Sequence, residues 1–139
     1  MSGQIKNVTG VPASLKLENM FFSKIEYFRE EDFQKTDYTI QFNREIKKSE
    51  ENPQKYRVAL EANIKDKNGR MELNIEIVGI FTSDYDEQDV DLIKSIIQDN
   101  TTAILFPYLR SQISLVTTQP EFSPIILPPM NIAEMFKEK

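Results

Sequence analysis

The side chains that most often do chemistry are missing from this 139-residue chain, which has no histidine and no cysteine. Ser–His and Cys–His nucleophilic mechanisms, thiolate metal sites and disulfides are therefore excluded. The densest set of potential ligands is the acidic run Asp84, Asp86, Glu87, Asp89 and Asp91. It lacks the tight-turn glycine and the downstream bidentate Glu of a calcium loop, so no metal is expected there. Its first four members instead precede Val90, Ile93, Ile96 and Ile97 at helical spacing, where carboxylates meet the positive end of a helix dipole. No Asp or Glu sits in an apolar context that would raise its pKa for acid–base work. With only 4 glycines and no P-loop pattern, a nucleotide-driven cycle is not expected either. The chain does not read as an enzyme, and no cofactor is implied.

The remaining chemistry is that of apolar surface. Pro124, Pro128 and Pro129 bracket Ile125, Ile126 and Leu127 in a segment that cannot be helical and should be extended. Phe122, Ile125 and Ile126 there, with Tyr27, Phe28 and Phe33 earlier in the chain, have two readings. They line a groove for unfolded polypeptide, or they close the core of one protomer. A groove that holds many sequences needs apolar area and main-chain partners rather than shape specificity.

The elements that must position these residues are strands first, helices later. Tyr38, Ile40, Phe42 and Ile46 alternate with polar residues, as do Tyr56, Val58, Leu60, Ala62 and Ile64, and then Met71, Leu73, Ile75 and Ile77. A period of two over such lengths marks half-buried antiparallel strands. Leu15–Tyr27 has apolar residues mostly at odd positions, but Met20 and Phe22 break its polar face. That break implies cover on this face by another subunit, or by a local helix or loop. The Asn68-Gly69 pair predicts a hairpin between the third and fourth strands, and Lys48–Gln54 a loop between the second and third. Leu105, Leu109, Ile113 and Val116 form a second helical stripe, in which Pro107 marks a first turn or a kink. Residues 131–139 suggest a short terminal helix. Strands followed by helices make an α+β domain, a four-stranded antiparallel sheet with helices packed on one face, and a single domain over 1–139.

Composition bounds the partners. The net charge of −5 argues against nucleic acid, whose binding rests on phosphate neutralisation by Lys and Arg. Nothing approaches the roughly 20 apolar residues of a membrane helix, so no membrane insertion is expected. The first ten residues lack the order of a signal peptide, which makes a cytoplasmic location the expectation.

Ile104-Leu105-Phe106-Pro107-Tyr108-Leu109-Arg110 with Ile113, and Leu127-Pro128-Pro129-Met130-Asn131-Ile132, resemble the main helix and the following loop of the SecB export chaperone family. Gly79-Ile80-Phe81 resembles the end of that family's fourth strand, and residues 22–27 are a looser echo of its first. The resemblance runs in order over about residues 15 to 136. It implies a sheet of order 1-4-3-2, with residues 28–37 crossing from one edge to the other. It implies a homo-oligomer, dimer or tetramer, and an ATP-independent holdase for non-native polypeptides. Beside this stands the reading of a SecB-like module with one dedicated protein partner. By resemblance, the crossover and helix-connecting loops flank the groove, and an acidic sheet surface docks SecA. Glu72 and Glu76 match that surface by charge, with a solvated sheet face as the alternative. Met20, Phe22 and Arg110 are the expected oligomer contacts, Arg110 alternatively being a solvated helix arginine. Two departures stand out. Ser111 replaces an acid of the motif, and the sequence ends without the acidic tail that contributes to SecA recognition, so polypeptide binding is the firmer expectation than export.

Overall fold

The computed structural model describes residues 5–6, 12–13, 15–33, 37–84, 90–120, 122–130 and 135–136. Four long strands form one antiparallel sheet: β1 (Leu15–Arg29), β2 (Tyr38–Lys48), β3 (Lys55–Asp66) and β4 (Met71–Ser83). Their order is β1-β4-β3-β2, so the connection after β1 crosses the sheet from one edge to the other. Ile5–Lys6 and Pro12–Ala13 pair separately as a short ladder. One helix, α1 (Val90–Thr117), follows and packs on β3 and β4.

The alternation in β2, β3 and β4 sets the faces. Val58, Leu60, Ala62 and Ile64 of β3, and Met71, Leu73, Ile75, Ile77 and Phe81 of β4, are buried with Leu105, Phe106, Leu109 and Ile113 of α1. Gly79 lets the helix come close. A Cβ there would lie 2.6 Å from Phe81 Cε1 and 2.9 Å from Leu105 Cδ2. At the β3–β4 hairpin, Gly69 takes φ of +72°, the left-handed region that glycine enters freely. The buried Asp66 carboxylate accepts from the amides of Asn68 and Arg70 at 3.0 and 3.3 Å and fixes the turn.

The first strand differs from its sequence reading. Its pairing with β4 shifts register between Leu17 and Asn19 and again between Phe22 and Lys24. Each shift is a bulge that accommodates one extra residue, Glu18 or Ser23. Leu17 opposes Phe81, Met20 opposes Gly79, Phe22 opposes Ile77 and Tyr27 opposes Leu73, so all four face the helix. Met20 and Phe22 therefore do not break the polar face; they are half-buried and pack on the core. The residue on the opposite face between them is Phe21, which is 44% exposed.

The two helical stripes also belong to a single helix of 28 residues, with Pro107 in its interior rather than its first turn. Proline leaves the carbonyl four residues back without its donor. Here Ala103 and Pro107 both lie on the exposed side, where water can serve that carbonyl. Of the expected terminal helix only Met135 and Phe136 are described. Met135 is buried, and the Phe136 ring lies 4.1 Å from the Arg44 guanidinium.

Candidate functional site: an aromatic corner and an apolar return

After α1 the chain turns at Gln119–Phe122, where the Phe122 amide donates to the Gln119 carbonyl at 3.1 Å. It then runs back extended along the helix. Period-two geometry puts Ile125 and Leu127 into the core and turns Ile126 out, 70% exposed. Two hydroxyls fasten this return to the helix. Ser114 Oγ donates to the Ile125 carbonyl at 2.9 Å, and the Ile125 amide donates to Thr117 Oγ1 at 2.8 Å. Between helix and return opens a groove of about 530 Å³, lined by Arg110, Ser111, Ser114, Pro124, Ile126 and Leu127 among others. Tyr108 and Leu115 of the same helix are exposed nearby in sequence.

The crossover and the return meet. Phe33 lies 5.6 Å from Phe122, ring to ring, tilted by 50°. The Arg29 guanidinium stands 5.1 Å from the centre of the Phe122 ring, and its Nη2 donates weakly to the Phe33 carbonyl at 3.4 Å. Both rings are buried. Tyr27 and Arg29 are half-buried, yet the Tyr27 hydroxyl oxygen and Arg29 Nε are both shut off from solvent and find no hydrogen-bond partner among the described residues. Burial pushes the Tyr27 phenol above its ordinary pKa, against the opposing effect of Arg29. The mouth of the crossover is tied to the hairpin by Arg70. Its Nε contacts Glu30 Oε1 at 3.1 Å and its Nη2 pairs with Asp32, while the Glu30 amide donates to the Arg70 carbonyl at 2.8 Å.

The six residues expected at a groove are thus distributed over three places. Phe33 and Phe122 touch at the corner, with Tyr27 on the strand face beneath the core. Ile125 is fully buried and Ile126 points the other way, beside Arg110. Phe28 opposes Glu72 on the sheet face away from the helix and is 55% exposed. Arg29 was not singled out by the alternation; ending the first strand at Tyr27 leaves it out, whereas an arginine at the next inward position is the signal to follow.

The outer face carries the acidic residues. Glu72 accepts from Asn63 at 3.0 Å and from Asn74 at 3.3 Å, and the Asn63 bond chiefly holds its carboxyl below the ordinary value. Glu76 accepts from Ser23, and Lys24 pairs with Glu61 at 3.1 Å. Glu72 and Glu76 therefore sit in a mixed-sign surface. The acidic run at 85–89 lies outside the described residues. Among those described there is no cluster suited to a metal ion and no helix long and apolar enough to cross a membrane.

A four-stranded sheet in this order, backed by one long helix and an extended proline-rich return, defines a SecB-like fold. Residues 16–139 match the family of preprotein translocase subunit SecB, and the chain belongs to that family. It is 29% identical over 129 residues to an uncharacterized protein of Methanocaldococcus jannaschii, covering 88% of this chain and 82% of that one. It is 29% identical to the protein-export protein SecB of Magnetococcus marinus, covering 69% of this chain and 62% of the relative. With SecB of Anaplasma phagocytophilum the identity is 30%, over 60% of this chain and 56% of the other. Both of these matches span less than two-thirds of the SecB relatives' length. In fold, the chain resembles the SecB-like chaperone of Mycobacterium tuberculosis, solved in complex with a ChAD peptide from the HigA1 antitoxin. That likeness has a TM-score of 0.66 at 12% identity and covers 84% of this chain and 90% of that one. The family points to a chaperone or export-related role and is not a class of enzymes.

Proposed function

We propose that this protein is an ATP-independent holdase that binds non-native polypeptide at the corner between crossover and return, as a cytoplasmic homo-oligomer. The observation that carries this reading is that the crossover and the return meet at Phe33 and Phe122, two buried rings that offer apolar surface once the loops part. Apolar burial at about 25 cal/mol per Å², less the cost of ordering a flexible client, gives moderate affinity and ready release. The exposed Tyr108, Leu115 and Ile126, with Arg110 beside them, supply an apolar face for oligomer contact through the helix. Export through SecA is the narrower reading, with Glu72 and Glu76 as its contact surface.

The experiment is suppression of light scattering when an unrelated client is diluted from urea, with stoichiometric protein and no ATP. Suppression is expected. Its absence, with the protein folded, would defeat the holdase reading. Ile126→Ser probes the exposed groove and oligomer face separately from the corner, whereas Ile125 is fully buried and its replacement would damage the core.

A second reading is a SecB-like module serving one dedicated partner. The fold neighbour, solved with an antitoxin peptide, favours it. Such a protein would ignore generic unfolded clients and co-purify with a single protein in near-stoichiometric amount.

A further inference from the structure

The corner contains two buried hydrogen-bond donors that the free protein does not use. Among the described residues the Tyr27 hydroxyl and Arg29 Nε–H have no partner, and a buried donor left unmet is costly. Two other arginines are supplied with partners. Arg44 donates to Thr102 Oγ1 at 3.0 Å and to the Gln98 carbonyl, and Arg70 pairs with two carboxylates. Among the described residues Arg29 pairs with no carboxylate, in a chain with 22 acids against 17 bases.

Resting on the holdase reading, we propose that Tyr27 and Arg29 are a main-chain anchor, donating to carbonyl oxygens of an extended client segment whatever its sequence. The two residues are two apart on a strand and so about 6.7 Å apart along it. That is also the repeat at which an extended chain presents carbonyls to one side. Every client carries those acceptors, and strand-like recognition draws affinity from them while side-chain pockets add selectivity. A carboxylate is disfavoured as occupant, because Glu30, Glu31 and Asp32 directly follow Arg29 and the chain is net acidic. The Phe122 ring lies over the guanidinium, so a client reaches Nε only when Phe122 and Phe33 part. In that opened state the two rings form walls and the two donors the floor. The crossover is held to the hairpin by exposed ion pairs, which resist such opening only weakly.

The test uses the full chain with Tyr27→Phe and Arg29→Met, and fluorescence anisotropy of three neutral apolar peptides of unrelated sequence. Each variant is expected to weaken all three by about 5- to 10-fold. Tyr27→Phe should leave the Tm unchanged or raise it, since the hydroxyl serves nothing in the free protein. Undiminished binding, a loss confined to one peptide, or a lowered Tm for Tyr27→Phe would overturn the anchor. Should Arg29→Met fail to fold, Tyr27→Phe decides alone. A folded wild type that binds none of the peptides defeats the holdase reading, and the anchor with it.

Discussion

The Thr117 hydroxyl receives the amide of Ile125 at 2.8 Å while donating its own hydrogen to the Ile113 carbonyl at 2.8 Å. One buried side chain thus ends the helix and starts the apolar return. Thr117→Val keeps the shape but strands the buried Ile125 amide, and should cost about 1–3 kcal/mol. Thr117→Ser should recover most of it. Urea midpoints at constant m-value measure both; equal midpoints for Val and wild type would show that the hydroxyl does not hold the return.

Gly79 and Leu105 set how closely the helix sits. Gly79→Ala places a methyl 2.9 Å from Leu105 Cδ2 and closer still to the Phe81 ring. The expected loss is about 1–3 kcal/mol. Leu105→Ala, destabilising alone, should cost less in the Gly79→Ala background, because the two share one space. Strict additivity in thermal unfolding would contradict this account.

The crossover tether should be sensitive to acid. The Arg70 guanidinium, by its hydrogen bond first and its charge second, holds the Asp32 carboxyl below its ordinary value. A carboxyl depressed in the folded state contributes fully above its unfolded pKa, about 3.9, and loses that contribution as pH falls through the folded value. Exchange of the Phe33 amide, which donates to the Glu30 carbonyl at 3.1 Å, should therefore accelerate below about pH 4, beyond the intrinsic trend. Arg70→Ala should show the faster exchange already at neutral pH and should speed client association.

Arg44 joins the helix to the terminal segment. Its side chain is 16% exposed, bonds to Thr102 and lies against Phe136. Burial lowers its pKa, opposed by Asp99. Arg44→Met keeps apolar contact with Phe136 but loses the bond to Thr102. A drop of about 1–3 kcal/mol in urea unfolding is expected; no drop would leave the residue a packing group only.

How much of this was legible before the structure varies with the physics of each segment. The faces of β2, β3 and β4 follow from unbroken alternation, and the hairpin from Asn68-Gly69. The faces of β1 do not, because bulges at Glu18 and Ser23 shift the period twice and nothing in the two residue types announces it. Helix and return were legible as types. The fusion of the two helical stripes into one helix was not: a proline at 107 argues for a boundary, and only its exposed position lets the helix continue. The meeting of Phe33 and Phe122 rested on family resemblance, since residues so far apart in sequence leave no local trace of contact. Arg29 carried a signal, a charge at an inward strand position, that an early end to the strand conceals.

The bulges in β1 have a consequence for chain length. Fifteen residues of β1 stand against thirteen of β4, and the surplus is Glu18 and Ser23. Striking out either leaves Leu15, Leu17, Met20, Phe22 and Tyr27 facing inward, with the same partners across the ladder. Most single-residue deletions in a strand invert one half of it. At these two sites the reading frame of the sheet is preserved, so a shortened first strand should fold with its inward set intact, while deletion of Phe21, which borders neither bulge, should displace Phe22 from it.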